Sequence, residues 1–353
     1  MGCSAVNPAT GPLWNADLTM DEINWAYAIV GIVFVGLVLL DVIWTTVWVG
    51  GKAGPMAGTI ARVNWVVFRP FRKRHRLPVL MGPLTLIITV IAWLLLLWAG
   101  WTAVFLSQPT AVLDASTKVP ADIFARVYFV GYTIFTMGNG GYSPNGSLWQ
   151  VITAIASGSG LFVATLAITY LLSVISAAVS ARALAVTVNG LGDNADQIVA
   201  AGWNGSDFSS LNLPINSLSE KLAQLSQQYR AYPVLQYFHV SQQDKSPIFA
   251  IGRLEQILAV SSNAVKRNAR APEIFHNSLR SAIEEVLETF PDRFVRPAEN
   301  ALPTPELTEL SLLGLSVASD QFAKELGDER TERRRKKIAG LLQEHGWESA
   351  DAR

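Results

Sequence analysis

Few side chains in this 353-residue sequence have the types and spacing for chemistry. The single cysteine, Cys3, excludes an intramolecular disulfide framework and a cysteine-based metal cluster, and His75, His239, His276 and His345 are too scattered for a zinc-ligand pattern. No nucleophile elbow, phosphate loop or paired His/Glu motif is present in the second half, so no catalytic residue, no cofactor and no enzymatic activity are expected. Gly190-Leu191-Gly192-Asp193-Asn194-Ala195 fits G-x-G-x-x-A and follows a strand-like Ala-Val-Thr-Val, but no alternating strands and helices come after it, so it reads as the turn that ends a helix. Asp41 lies within an apolar run, where an ionised carboxylate costs about 2.5–3.5 kcal/mol at a helix centre. A static partner, Arg62 or Arg69 or a neighbouring Trp or Thr, is favoured there over an ion relay. The remaining candidate is backbone. Gly138-Asn139-Gly140-Gly141-Tyr142-Ser143-Pro144 ends any helix before it and frees the chain for conformations that a Cβ resists.

The elements that must position these residues are apolar. The sequence is 50% hydrophobic and 16% charged, with 28 basic and 28 acidic residues and no basic field for nucleic acid. Only nine of the bases and six of the acids precede residue 181. Three stretches, near 25–49, 80–106 and 148–179, are long enough to cross about 30 Å of hydrocarbon as helices. The first follows an acidic leader without Lys or Arg and reads as a retained helix, not a signal peptide. Residues 50–78 hold seven Lys/Arg, including Arg72-Lys73-Arg74-His75-Arg76, and no acid, so the positive-inside rule places that loop in the cytoplasm. It reads as a solvated loop, with residues 60–76 lying along the inner leaflet as the alternative. The expected organisation is an extracellular N-terminal segment (1–24), a first transmembrane helix (25–49), the basic cytoplasmic loop (50–78), a membrane module (79–180) and a cytoplasmic domain (181–353), in a multi-pass protein of the cell's inner membrane.

The second and third stretches flank something that is no ordinary loop. Residues 123–137 are apolar but too short to span and return. The economical reading is a half-helix that dips into the membrane, followed by an extended glycine-rich return that lines a cavity, because non-helical backbone is tolerated at membrane depth only there. Thr136-Met137-Gly138-Asn139-Gly140, with Pro144 four residues on, Tyr128-Phe129 in the half-helix and a glycine-bearing helix after it, resembles the pore module of tetrameric potassium channels, whose filter reads T-V-G-Y-G. The resemblance covers roughly residues 80–180. It implies a homotetramer, with K+ held at the carbonyls of Thr136, Met137, Gly138 and Asn139, the Thr136 hydroxyl closing the innermost site, and no cofactor beyond the permeant K+ or another monovalent cation. Gly138 and Gly140 would let the carbonyls turn inward. Gly158 and Gly160 are candidates for a gating hinge or for close packing against the pore helix, and Thr165 and Thr169 for the lining of the cavity. Departures from the pattern are as informative. Asn139 stands where selective filters carry an aromatic, Gly141 where an acid commonly follows, and Tyr132 where some members carry a carboxylate, so the bracing acid pair is missing and a weakly selective or non-selective cation pore is the alternative.

The second half shows apolar residues at helical spacing, such as Leu218, Leu222, Leu225 and Tyr229, or Ile248, Ile251, Leu254 and Leu258, punctuated by prolines. An all-α domain of five or six helices is expected, with a solvated final helix over 329–344. The fold class is therefore all-α: an integral membrane pore-loop channel of three transmembrane helices plus a re-entrant pore helix, carrying a helical cytoplasmic domain. Membrane lipids and sister subunits are the expected partners, a cytoplasmic ligand or protein partner is unspecified, and nucleic acid is not expected. No span carries an arginine every third residue, so voltage sensing is not expected. A non-conducting membrane scaffold or sensor is the alternative from another class.

Overall fold

Hydropathy dictates the long elements. In the computed structural model, which describes residues 23–48, 50, 53–68, 78–138, 140–264, 270–290, 295–314 and 319–348, three helices are long and apolar enough to cross a membrane. These are α1 (Trp25–Val47), α3 (Met81–Leu106) and α5 (Gly146–Asn189). Asn24 starts α1 by accepting the amides of Ala26 and Tyr27 at 3.2 and 3.5 Å. With 44 residues, α5 is about 66 Å long and outruns the hydrocarbon core, so its last turns, with Arg182, continue beyond it. The strand-like Ala-Val-Thr-Val is part of this helix, and the inner span is longer than the 148–179 read from hydropathy.

Short elements refine the sequence reading. The basic segment is not simply a loop, since α2 (Pro55–Phe68) opens with proline at its first turn and runs 14 residues. The chain is mostly helical, as the all-α expectation requires, and adds two three-residue antiparallel strands, β1 (Val112–Asp114) and β2 (Tyr142–Pro144), in the register Val112↔Pro144, Leu113↔Ser143 and Asp114↔Tyr142. The acidic leader, Cys3, the basic run at 72–76 and Asn139 lie outside the described residues.

The chain clusters into two compact units, Met1–Val38 with Leu94–Phe162, and Leu39–Trp93 with Val163–Arg353. The first unit holds α4 (Ile123–Ile134), the two strands, the start of α1, the end of α3 and the start of α5. Its core is aromatic, with Phe105 against Phe129 and Trp149 at centroid distances of 5.3 and 5.2 Å.

The second unit contains α2 and the helical domain: α6 (Ala195–Ala201), α7 (Asn212–Ala231), α8 (Pro247–Ala259), α9 (Glu273–Glu288), α10 (Thr308–Leu312), α11 (Ser319–Leu326) and α12 (Glu329–Glu344). That is seven α-helices among the described residues, three of them eight residues or shorter. Every residue of α8 is buried, so this helix is the centre of the domain, and the periodic Leu218, Leu222, Leu225 and Tyr229 face the core as the spacing requires.

The final helix is not merely solvated. Arg334 is buried and forms a bidentate pair with the buried Glu255 of α8, Nε–Oε2 2.8 Å and Nη2–Oε1 2.9 Å, and reaches Glu284 of α9 at 3.2 Å. Burial pulls its pKa down, but the two carboxylates outweigh this and hold it above the ordinary value. Arg335, also buried, donates to Gln256 Oε1 and to the carbonyls of Leu302 and Pro303 at 3.0, 2.9 and 2.9 Å.

Candidate ion-conduction site

Asp122 makes the short helix α4 begin where it does. Its carboxylate accepts the amide of Ala125 at 2.7 Å, satisfying an orphan donor of the first turn. At 12 residues, α4 reaches about 18 Å, too short to cross a bilayer. Its first half is exposed or half-buried, with Phe124 84% accessible, whereas its last six residues, Phe129 to Ile134, are all buried. The helix thus plunges into protein at its C-terminal end. Trp98 of α3 anchors it, donating Nε1–H to the Val127 carbonyl at 3.0 Å and lying flush on Gly131, where an added Cβ would stand 3.1 Å from the indole.

How α4 ends determines the course of the candidate segment that starts at Thr136. The Met137 amide returns to the Tyr132 carbonyl at 2.8 Å and the Thr136 amide to the Thr133 carbonyl at 3.2 Å, the pair of bonds of a Schellman cap. The residue at the left-handed position of such a cap is usually glycine. Here it is Thr136, with φ +55°, a conformation that costs a residue with a Cβ about 1–2 kcal/mol. A β-branched residue held there points to a use for its hydroxyl that outweighs the local cost. Gly138 follows at φ +68°, so positive φ recurs at alternate residues.

Immediately after six buried residues, the chain is open. Thr136, Met137, Gly138 and Gly140 are exposed, Met137 69% so, and a Cβ on Gly138 or Gly140 would meet nothing within 4 Å. The return strand is nevertheless held from behind. Tyr132, itself buried, donates its hydroxyl to the Tyr142 carbonyl at 2.9 Å, and the rings of Tyr128, Phe129 and Tyr142 cluster around it. The Ala115 amide donates to the Gly141 carbonyl and the Asn145 amide to the Ala111 carbonyl, both at 3.0 Å. The Tyr132 side chain, at a position where an acid was expected to be missing, thus ties the end of α4 to the segment at Tyr142. In the same turn the Thr117 amide and hydroxyl and the Ser116 amide hold the Asp114 carboxyl below its ordinary range, so it stays ionised beside the strand that leaves the candidate segment.

The α5 glycines behave differently. A Cβ on Gly160 would stand 2.1 Å from the Ile134 carbonyl oxygen, so this glycine lets α5 lie directly on the end of α4. Gly158 faces open space. One residue away from Gly160, Ser159 accepts Trp101 Nε1–H at 2.8 Å. Gly158, Thr165 and Thr169 share one exposed helical face, while Ala156, Gly160, Val163 and Ala167 form the buried one.

Two further arrangements within the second unit were only partly legible. Asp41, expected to take a static partner, has a tryptophan as one and no arginine among the described ion pairs, and Arg69 lies outside the described residues. It accepts the amides of Met56 and Ala57 at 2.7 and 3.3 Å and the indole N–H of Trp93 at 2.8 Å, capping α2 from a different helix. Asn64, two turns further along α2, donates to Thr85 Oγ1 of α3 at 2.9 Å, a second point at which α2 is tied to the spans. At the inner end of α5, Arg253 of α8 donates to Asn189 Oδ1, the Gly192 carbonyl and the Asp193 carbonyl at 2.6, 3.1 and 2.7 Å. The G-L-G-D-N-A segment is thus the turn expected, gripped by an arginine. An arginine and a glutamate in the otherwise apolar run 247–259 were the available signal for this and for the Glu255–Arg334 pair.

No cluster of three or more potential metal-ligating His, Cys, Asp or Glu side chains occurs among the described residues. No family model matches the chain, and no solved structure matches it. The chain is 32% identical over 321 residues to the uncharacterized membrane protein YdjJ of Bacillus subtilis (strain 168), an alignment covering 91% of this chain and 94% of that protein.

Proposed function

The chain belongs to the same family as the Bacillus subtilis membrane protein YdjJ and is a membrane protein, and we propose that it is a passive cation channel, a homotetramer conducting potassium through backbone oxygens of Thr136, Met137, Gly138 and Asn139. The observation that carries this reading is the transition at Thr136, from a half-helix whose last six residues are buried to a bare, hydroxyl-bearing, glycine-rich strand braced from behind. An ion leaving water needs its hydration shell replaced by several oxygens at once, and one strand supplies only one side of such a cage. Four copies around an axis would complete it and would cover the exposed Met137 and the exposed face of α5.

The basic segment 50–78 favours an inner-membrane orientation with the N-terminus outside and the helical domain in the cytoplasm. Arg253, on the central helix of that domain, holds the end of α5, which gives the domain a direct mechanical route to the pore-lining helix. Purified protein in liposomes under a potassium gradient should pass current, and the Thr136→Ala, Gly138→Ala double variant should not. Because Asn139 replaces the filter aromatic, a weakly selective monovalent cation pore is the second reading. The reversal potential under opposed sodium and potassium gradients separates the two.

A further inference from the structure

A cavity of about 480 Å³ lies within the second unit, between α2, the first turns of α3, the middle of α5 and the start of the helical domain. That volume falls in the range of small-ligand sites, about 300–1,000 Å³. Its walls combine two kinds of surface. Ala57 and Ala61 of α2, Leu86 of α3 and Val234 form an apolar side. The polar side holds the hydroxyls of Tyr170 and Tyr229, whose rings are 5% and 6% exposed and whose oxygens make no hydrogen bond to any described residue. A tyrosine hydroxyl without a described protein partner can donate to an acceptor placed in the cavity that its residue lines. Arg62 stands at the same cavity without an ion pair among the described residues, whereas the other arginine there, Arg230, is held by Glu285 at 2.7 Å and by the lining Glu288 at 3.4 Å.

One cation and two hydroxyl donors facing an apolar wall suit an anionic oxygen group attached to something greasy. The exposed residues of α2 outside the cavity lining indicate which molecule carries it. Arg62 is followed on α2 by Val63, Val66 and Val67, exposed by 58, 67 and 55%, on a helix tied to the transmembrane α3. Apolar residues at such exposure beside a cation match the boundary between lipid headgroups and acyl chains. We propose that this cavity binds the phosphate of an anionic phospholipid, with Arg62, Tyr170 and Tyr229 as its ligands and the acyl chains leaving past Arg62 toward the surrounding bilayer. Asp41 contributes indirectly, since its cap on α2 fixes the helix that presents Arg62. The proposal requires membrane insertion and does not rest on conduction.

The test is native mass spectrometry of the full-length, delipidated protein titrated with phosphatidylglycerol, phosphatidylethanolamine and soluble glycerol phosphate, with melting temperature followed in parallel. Phosphatidylglycerol should bind and raise the melting temperature, and glycerol phosphate should bind at least 100-fold more weakly. Arg62→Ala should weaken phosphatidylglycerol binding about tenfold or more, and so should the Tyr170→Phe, Tyr229→Phe double variant, which removes two oxygens without altering the packing, while Arg280→Ala on α9 should leave it unchanged. Equal binding of phosphatidylglycerol and phosphatidylethanolamine, glycerol phosphate binding as tightly as the lipid, or full binding in the folded tyrosine double variant would each overturn the assignment.

Discussion

Replacing Gly160 by alanine adds one methyl group at a point where α5 and α4 touch backbone to backbone. The methyl carbon would sit 2.1 Å from the Ile134 carbonyl oxygen and 2.8 Å from both its carbonyl carbon and its Cα. Ordinary contacts lie near 3.5–4.0 Å, so the helices must separate by about 1 Å or more, and no flexible side chain is available to yield. Overpacking of this kind costs about 1–3 kcal/mol. The strain falls on Ile134, two residues before Thr136, so the Schellman cap that leads into the candidate segment has to shift with it. Gly158, two positions earlier, faces open space, and alanine there should gain about 0.5–1 kcal/mol of helix stability by removing glycine's backbone freedom. Because the propensity gain is common to both sites, the two variants should differ by the overpacking cost, about 1–3 kcal/mol, with Gly160→Ala melting lower and conducting poorly in liposomes and Gly158→Ala melting at or above wild type. A Gly160→Ala protein that melts and conducts like wild type would refute the packing argument. If Gly158→Ala were the variant that lost conduction while keeping its stability, the hinge would be at Gly158.

Other consequences follow from single contacts. Asp41→Asn replaces one of two acceptor oxygens with a donor facing N–H groups and should cost about 2–4 kcal/mol, read as a lowered melting temperature; Trp93→Phe, which removes only the indole bond, should cost less. Arg253→Ala leaves the Gly192 and Asp193 carbonyls without their donor and should make the turn at 190–194 markedly more sensitive to limited proteolysis, with Arg253→Lys only partly protective because one ammonium cannot reach all three oxygens. Burial, reinforced by Arg280 and Arg270 against Glu273, pushes His276 down to about 4, so the folded protein refuses a proton that the unfolded chain accepts near 6.5. That stability is present above pH 6.5 and is lost as pH falls toward 4, by about 1–3 kcal/mol. His276→Gln should flatten this part of the melting-temperature profile.

What could be read from the sequence was whatever repeats along the chain. The three spans announce themselves by about 20 residues of continuous apolarity, and the buried faces of α7 and α8 by their helical spacing. The short apolar helix that precedes the glycines at 138–141 was legible for the same reason. Contacts between distant residues were not. Asp41 meets partners 15, 16 and 52 positions away, and Arg334 pairs with a glutamate 79 residues earlier, so a helix that looks solvated by charge count is buried by pairing. Three-residue strands are too short to show an alternation, and α2, at 14 residues, is too short for a span and too charged at its flanks to stand out. Tyr132 looked like the loss of a brace because a phenol was compared with a carboxylate. Its bond to the Tyr142 carbonyl needs only a hydroxyl in reach, which side-chain type alone does not reveal.

The central claim is that backbone oxygens from Thr136 to Asn139 conduct potassium. Its most direct test is the reversal potential of the reconstituted protein with potassium on one side of the bilayer and sodium on the other. The account predicts a current that reverses on the potassium side of zero, moves further that way in Asn139→Tyr, and vanishes in the Thr136→Ala, Gly138→Ala double variant. Folded, membrane-inserted protein that passes no current in either direction, or a current that survives the double variant unchanged, would contradict it.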